Sequence, residues 1–374
     1  MNVLLASMTL DIGGAETHVV ELAKGLKKMG HNPVVVSAGG VYVKELFRDG
    51  IDHYEAPLNK KDIKSLSKSI KVLSSVIEEK DVEVIHAHGR IPALNSKIVS
   101  MSRSIPFMTT AHAKFDASLI YKYTSFWGKE VICISEDIKE HLINNFNVKE
   151  EKITIIPNGI DIIKFSPKEE SIGLKNELNL SENTLKLIYI SRISGALAEL
   201  AKMVIAAGNE IFKENKGIEL IIVGDGDDFK GVCEEADKIN SKYDKTVVHV
   251  LGKRTDIPEI LSLADLTVCV SRTALEAMSC EKPVILAGGE GYMGLLTERN
   301  METAISNNFT GRTSNSEINV KRLKEEIFYL CKPENEKLRA QLGKLGREVV
   351  INQFSIQTMV KKTVDIYNKL LKGV

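Results

Sequence analysis

Asn2-Val3-Leu4-Leu5-Ala6-Ser7 is a compact apolar run, and a loop holding Gly13 and Gly14 follows it. Beyond the loop, Val19, Leu22, Ala23 and Leu26 recur at helical spacing, so one face of this segment is apolar. Strand, glycine loop and amphipathic helix together make the first half of a strand–helix–strand unit. The next apolar run, 33–38, supplies the second strand, and Leu66, Ile70, Leu73 and Ile77 mark a further amphipathic helix. Apolar runs at 82–87, 107–111 and 130–135 predict three more strands with helical segments between them. Ser135 stands where it can cap the following helix, with Glu136 and Asp137 in a first turn that favours negative charge. Strands that alternate with helices in this way predict a parallel sheet covered on both faces.

The alternation pauses after residues 153–156. Pro157-Asn158-Gly159 is turn chemistry, and a polar stretch at 166–184 is predicted to be an interdomain link with a short helix. A second series then starts. Strands are expected at 185–191, 219–223, 247–251, 266–270 and 283–286, and helices at 199–214, 228–239, 257–264 and 274–280. Residues 356–371 form a last amphipathic helix. A length of 374 residues suits two domains, each with its own core. The expected fold class is α/β, with two doubly wound domains spanning 1–165 and 166–354.

Lys plus Arg and Asp plus Glu both number 50, so the formal charge is zero and gives no support for a nucleic-acid partner. Five scattered cysteines without a Cys-x-x-Cys pair argue for a reduced compartment and against a zinc site. The N-terminus lacks the basic start of a signal peptide, and no run approaches the roughly 20 apolar residues of a membrane span. The expected location is cytoplasmic, with peripheral contact at the inner membrane face left open. Lys27-Lys28 and Lys60-Lys61 could face a membrane, although a solvated surface explains them better.

Ligands of doubly wound sheets bind beyond the carboxyl ends of the strands, so residues just after strands are the first place to look. Gly13 and Gly14 let backbone approach a ligand there, but the spacing is not that of the dinucleotide fingerprint, and a plain turn explains a lone glycine pair better. Arg192 follows the strand at 185–191 and can grip a phosphate bidentately; an exposed arginine with a surface partner explains it equally well. Ser271, Arg272 and Thr273 open a helix whose first amides suit a phosphate, with Ser271 as its cap. Glu276, one turn in, suits ribose hydroxyls, or merely favours the helix start. Gly288-Gly289-Glu290-Gly291-Tyr292 after a strand suggests backbone touching a ligand, against a flexible turn; for Gly224-Asp225-Gly226 the plain turn is preferred. His86, His88 and His112 end two strands. Substrate contact ranks first for His112, core packing first for His86, and metal binding last for all three, because the sequence places no further ligand beside them.

In order along the chain, Gly13-Gly14-Ala15-Glu16-Thr17-His18, Val84-Ile85-His86-Ala87-His88-Gly89, Ile156-Pro157-Asn158-Gly159-Ile160-Asp161, Ile190-Ser191-Arg192, Ile222-Val223-Gly224-Asp225-Gly226 and the run from Leu275 through Cys280 to Ile285 resemble glycosyltransferase family four. The resemblance implies the GT-B fold, two Rossmann-like domains facing each other across a cleft, with a C-terminal helix at 355–374 crossing back to the first. It implies a retaining transfer from a nucleotide-diphosphate sugar to a glycan, a lipid-linked or a small-molecule acceptor, in cell-surface polysaccharide synthesis. No cofactor and no metal are implied. Carried over residue by residue, Gly14 lies near the donor diphosphate, Arg192 binds its phosphates, Glu276 binds the ribose and His112 contacts the transferred sugar.

Two positions depart from the family pattern. Leu197 stands where the family has a lysine five residues after the arginine, and Val268 replaces the first of its paired glutamates. Arg272 is the expected substitute cation, and Glu290 with Gly291 the expected substitute contacts to the sugar. The departures leave two alternatives open: a nucleotide-sugar-binding protein without transfer activity, and a nucleotide-sugar epimerase on the same fold.

Overall fold

The computed structural model describes residues 1–214, 217–312, 314 and 317–373, without the side chains at positions 120 and 123. The chain divides into two compact units, Met1–Gly159 with Phe354–Val374, and Ile160–Gln353.

The first unit is built on seven strands: β1 (Asn2–Ser7), β2 (Asn32–Ser37), β3 (Asp52–Glu55), β4 (Val84–His88), β5 (Phe107–Ala111), β6 (Val131–Cys133) and β7 (Ile153–Ile155). They lie in the order β3-β2-β1-β4-β5-β6-β7, and every pair is parallel. The chain winds outward from β1 to β3, then returns to start β4 on the other side of β1. That reversal leaves a crevice beyond the carboxyl ends of β1 and β4, the usual ligand position in such sheets. β1, β4 and β5 are almost wholly buried because helices cover both of their faces. On one face the helices Gly14–Lys28 and Ile356–Lys372 share a core through Leu22, Leu26, Val360 and Tyr367. Gly25 is the close-approach point, since a Cβ there would stand 2.3 Å from Val360 Cγ2.

The second unit is built on β8 (Leu185–Ile190), β9 (Ile218–Val223), β10 (Val248–Val250), β11 (Leu266–Cys269), β12 (Val284–Gly288) and β13 (Gly291–Leu295), in the order β10-β9-β8-β11-β12-β13. Its switch point lies between β8 and β11. All pairs are parallel except β12–β13. The long helix Ala196–Glu214 buries Leu200, Ala201, Val204 and Ile211 against this sheet. The helix Glu336–Gln353 packs on the helix Arg272–Ser279, and Gly343 sets the separation: a Cβ there would meet the Glu281 carbonyl oxygen at 2.0 Å.

Two elements differ from the sequence reading. Ser135 occupies the N-cap position of the helix Glu136–Phe146, but its hydroxyl donates to Asp137 at 2.5 Å and caps no backbone amide. The glycine-rich run at 288–292 is a tight hairpin and not a flexible turn, because Gly288 and Gly291 are paired residues of two antiparallel strands. All five cysteines are free, and burial pushes the thiols of Cys133, Cys269, Cys280 and Cys331 up to about 12. Among the described residues no helix is long and apolar enough to cross a membrane.

Candidate active site

At the switch point of the first unit, four histidines from three elements converge. His18 comes from the helix Gly14–Lys28, His86 and His88 from β4, and His112 from the residue after β5. His18 and His112 rings meet edge to face at 4.7 Å, and His88 and His112 stack at 5.3 Å. His88 Nδ1 and His112 Nε2 are 3.0 Å apart. His86 is spoken for on both sides, by Tyr367 Oη at 2.7 Å and Thr110 Oγ1 at 2.6 Å, so its role is to tie the sheet to the C-terminal helix. His18 Nδ1 lies 2.9 Å from Asn158 Oδ1 and so donates to it. Burial, with the other rings nearby, holds His86, His88 and His112 well below the usual histidine range, so all three imidazoles are neutral at pH 7.

Neutrality constrains the array. A neutral ring carries one N–H, and one of the two facing nitrogens must donate to the other. Whichever does, of the two remaining nitrogens, His88 Nε2 and His112 Nδ1, one is a donor and the other an acceptor. Both are buried and neither has a partner among the described residues. A sugar hydroxyl, which donates and accepts, matches such a pair. One nitrogen each of His18, His88 and His112 lies within 4.8 Å of the others, and three imidazoles are a donor set that zinc accepts.

Gly13 is the N-cap of its helix with extended backbone, and its carbonyl accepts from Thr17 Oγ1 at 2.8 Å. Gly14 begins the helix, and no atom of the chain lies within 4 Å of where its Cβ would stand. The loop geometry therefore leaves room beside Gly14, as close backbone approach requires.

In the second unit, Arg192 and Ser271 leave the carboxyl ends of β8 and β11, the two strands that flank the switch point. The Arg192 side chain is exposed and takes no hydrogen bond or ion pair among the described residues. Its loop is held from behind. Gly224, at φ +142, lets the next turn come so close that a Cβ would meet the Ser191 carbonyl oxygen at 1.8 Å. Ile193 N then donates to Asp225 O at 3.0 Å, and Asp228 N to Ile193 O at 3.1 Å. The turn at 224–226 thus braces the arginine loop.

Ser271 adopts φ +53, ψ −125, a conformation that non-glycine residues avoid, and its hydroxyl makes no cap bond, contrary to the expected role. Thr273 Oγ1 turns back to the Val270 carbonyl at 2.9 Å, so only its backbone is left to face a ligand. Arg272 Nε donates to Glu276 Oε1 at 2.9 Å across one helical turn. Burial raises the Glu276 carboxyl, and Arg272 and then Lys164 pull it back down. Glu290, in the β12–β13 turn, pairs with Arg312 at 3.1 Å, and Gly291 is required by packing, with a Cβ there reaching Gly311 O at 2.0 Å. Neither departure from the family pattern leaves a polar group: Leu197 packs against the core, and Val268 is fully buried.

Sequence reasoning gave His18, Asn158 and Lys164 no role in the site. His18 and Asn158 stand in two of the motifs that carry the family resemblance, which marked their segments but not their side chains; nothing local marked Lys164.

Two family models cover most of the chain: "Glycosyltransferase Family 4" matches residues 12–164 and "Glycosyl transferases group 1" matches residues 172–349. The chain belongs to glycosyltransferase family 4. It is a nucleotide-sugar-dependent glycosyltransferase. Among curated relatives, this glycosyltransferase is 26% identical over 334 residues to the UDP-Gal:alpha-D-GlcNAc-diphosphoundecaprenol alpha-1,3-galactosyltransferase of Escherichia coli, covering 82% of this chain and 79% of the relative. It is 27% identical over 273 residues to the N,N'-diacetylbacillosaminyl-diphospho-undecaprenol alpha-1,3-N-acetylgalactosaminyltransferase of Campylobacter jejuni, covering 70% of this chain and 66% of that one. A solved glycosyltransferase structure from Rickettsia africae superposes with a TM-score of 0.81 at 23% identity over 100% of this chain and 99% of that chain, which places the fold in the GT-B class.

Proposed function

We propose that this glycosyltransferase moves a sugar from a nucleotide-diphosphate sugar to a lipid-linked acceptor, with retention of configuration and without a bound metal, in cell-surface polysaccharide synthesis at the inner membrane face. The observation that carries the donor half is Arg192. An exposed guanidinium without an internal partner, on a braced loop at the switch point, suits a diphosphate. Gly14 provides close backbone approach. Glu276 takes the ribose hydroxyls, and Arg272 both adds positive charge and keeps that carboxylate ionised against its burial. His112, neutral and paired with His88, holds a hydroxyl of the transferred sugar. Catalysis then rests on stabilising the departing diphosphate by cations and amides. The acceptor half draws on the two relatives, each named for a diphosphoundecaprenol-linked substrate.

Calorimetry with a panel of nucleoside diphosphates, followed by transfer from the matching nucleotide sugars to undecaprenyl-diphosphate-linked sugars with and without EDTA, tests this reading. Binding of a diphosphate and EDTA-resistant transfer are expected. Failure of every nucleotide to bind would overturn the donor half, and loss of transfer in EDTA would overturn the metal-free mechanism. Leu197 and Val268 favour a second reading, a donor-binding protein without turnover, which predicts binding but neither transfer nor donor hydrolysis.

A further inference from the structure

The first unit holds a cavity of about 630 Å³ at the carboxyl end of its sheet, next to the β1–β4 switch point. Its walls come from the loops after β1, β3, β4 and β5 and from three helices, Ile63–Glu79, Arg90–Arg103 and Leu119–Thr124. Met8, Leu66, Ile91 and Leu94 give it an apolar lining. Lys60, Lys61 and Arg90 bring three cations to it, against one acid, Asp116, which accepts from Ser118 N at 2.9 Å.

Arg90 is the unusual member. Its guanidinium carbon lies 4.1 Å from the centre of the Tyr121 ring and 5.0 Å from that of Phe115. Stacking on two aromatic rings fixes the plane of the guanidinium and leaves its edge to donate. Arg90 Nη1 is buried and has no hydrogen-bond partner among the described residues. A buried N–H of a cation without an acceptor is costly, and an anionic oxygen is the group that would relieve it. Lys61 adds a second donor on the same aromatic wall, with Nζ 3.2 Å from Tyr121 Oη.

An apolar cavity with a cationic rim fits a ligand that is anionic at one end and hydrocarbon at the other. We infer that this cavity binds the diphosphate head and first isoprene units of a polyprenyl-diphosphate-linked acceptor, with Arg90 and the Lys60-Lys61 pair on the phosphates and Met8, Leu66, Ile91 and Leu94 on the prenyl chain. The inference rests on the lipid-linked acceptor proposed above and gives it a site. A free glycan has neither the charge for the rim nor the hydrocarbon for the lining.

The test is calorimetry on the full chain with farnesyl diphosphate as probe, with farnesol, inorganic pyrophosphate and UDP as comparisons. Farnesyl diphosphate is expected to bind, with farnesol and pyrophosphate each at least about tenfold weaker, since each keeps only half of the recognition. Arg90→Gln is expected to weaken farnesyl diphosphate about 30-fold by removing charge-assisted hydrogen bonds. The Lys60→Gln/Lys61→Gln double variant changes only exposed side chains and is expected to weaken it without altering the melting temperature. UDP affinity is expected to stay constant in all variants. Farnesyl diphosphate that does not bind, that binds the Lys60→Gln/Lys61→Gln variant as well as the parent, or that competes with UDP would overturn the inference. UDP binding without farnesyl diphosphate binding sinks this site and leaves the donor reading standing. The reverse result sinks the donor reading and leaves the site.

Discussion

His88 Nδ1 and His112 Nε2 stand 3.0 Å apart in a buried array that holds both rings neutral. The bond couples their tautomers, so His88 decides whether His112 Nδ1 presents a proton or a lone pair. His112→Ala is expected to lower kcat about 100-fold, the scale of losing one positioned polar contact to the reacting group, with donor affinity little changed. His88→Ala is expected to lower kcat less, because His112 remains but its tautomer is no longer fixed. Steady-state kinetics on both variants checks this; near-normal turnover of His112→Ala would remove it from the site.

The same array makes the first unit sensitive to acid. His86, His88 and His112 have folded values below the ordinary 6.5, so as the pH falls past 6.5 the unfolded chain takes up protons that the folded chain does not. Their contribution is fully present above pH 6.5 and is lost progressively as the pH falls below it toward the folded values. Melting temperature followed from pH 8 to pH 5 should be flat above about 6.5 and fall below it. A His88→Gln/His112→Gln variant should show a shallower fall.

Arg192 and Arg272 should separate in their effects. Arg192 has no internal partner, so Arg192→Ala is expected to weaken nucleoside-diphosphate binding by about 10- to 100-fold at unchanged melting temperature. Arg272 is bonded to the buried Glu276, so Arg272→Ala leaves that carboxylate unpaired. It is expected to lower the melting temperature as well as the affinity, and the stability loss should shrink in acid as Glu276 is protonated. Calorimetry and thermal melts on both variants decide. Equal melting temperatures would show that the Arg272–Glu276 bond supports ligand contact alone.

Gly343 is the contact point between two helices, against the Glu281 backbone. Backbone cannot swing aside as a side chain can, so Gly343→Ala should force the helix Glu336–Gln353 away from the helix Arg272–Ser279. A cost of about 1–3 kcal/mol is expected, seen as a melting temperature lower by several degrees. Donor affinity should fall as well, because Arg272 and Glu276 ride on the displaced partner. An unchanged melting point would show that the contact is soft.

The alternation of apolar runs with amphipathic helices made both sheets legible, because their central strands are covered on both faces and read as continuous hydrophobic segments. β3, Asp-His-Tyr-Glu at 52–55, was not, since an edge strand needs no such run. β13 hid behind its glycines, of which Gly291 packs closely on Gly311. Among the candidate site residues, Arg192 and Glu276 could be singled out because they follow strands at the end of the sheet where ligands of doubly wound folds bind. His18 and Asn158 are 140 positions apart, and only the folded first unit brings them to 2.9 Å. The Arg90 clamp was equally out of reach, for its two rings come from a loop and a short helix some thirty residues on, which no local periodicity connects to it.

Phe354–Val374 belongs to the first unit, and Tyr367 both fills its core and holds His86. On the ribosome this sets an order of events. Residues 160–353 can fold once they clear the exit tunnel, whereas the first unit waits for residues 354–374. Until those residues arrive, the apolar face of the helix Gly14–Lys28 that Val360 and Tyr367 cover stays open to solvent and to chaperones. A premature stop between positions 354 and 374 would therefore damage the unit whose strands were made before residues 160–353.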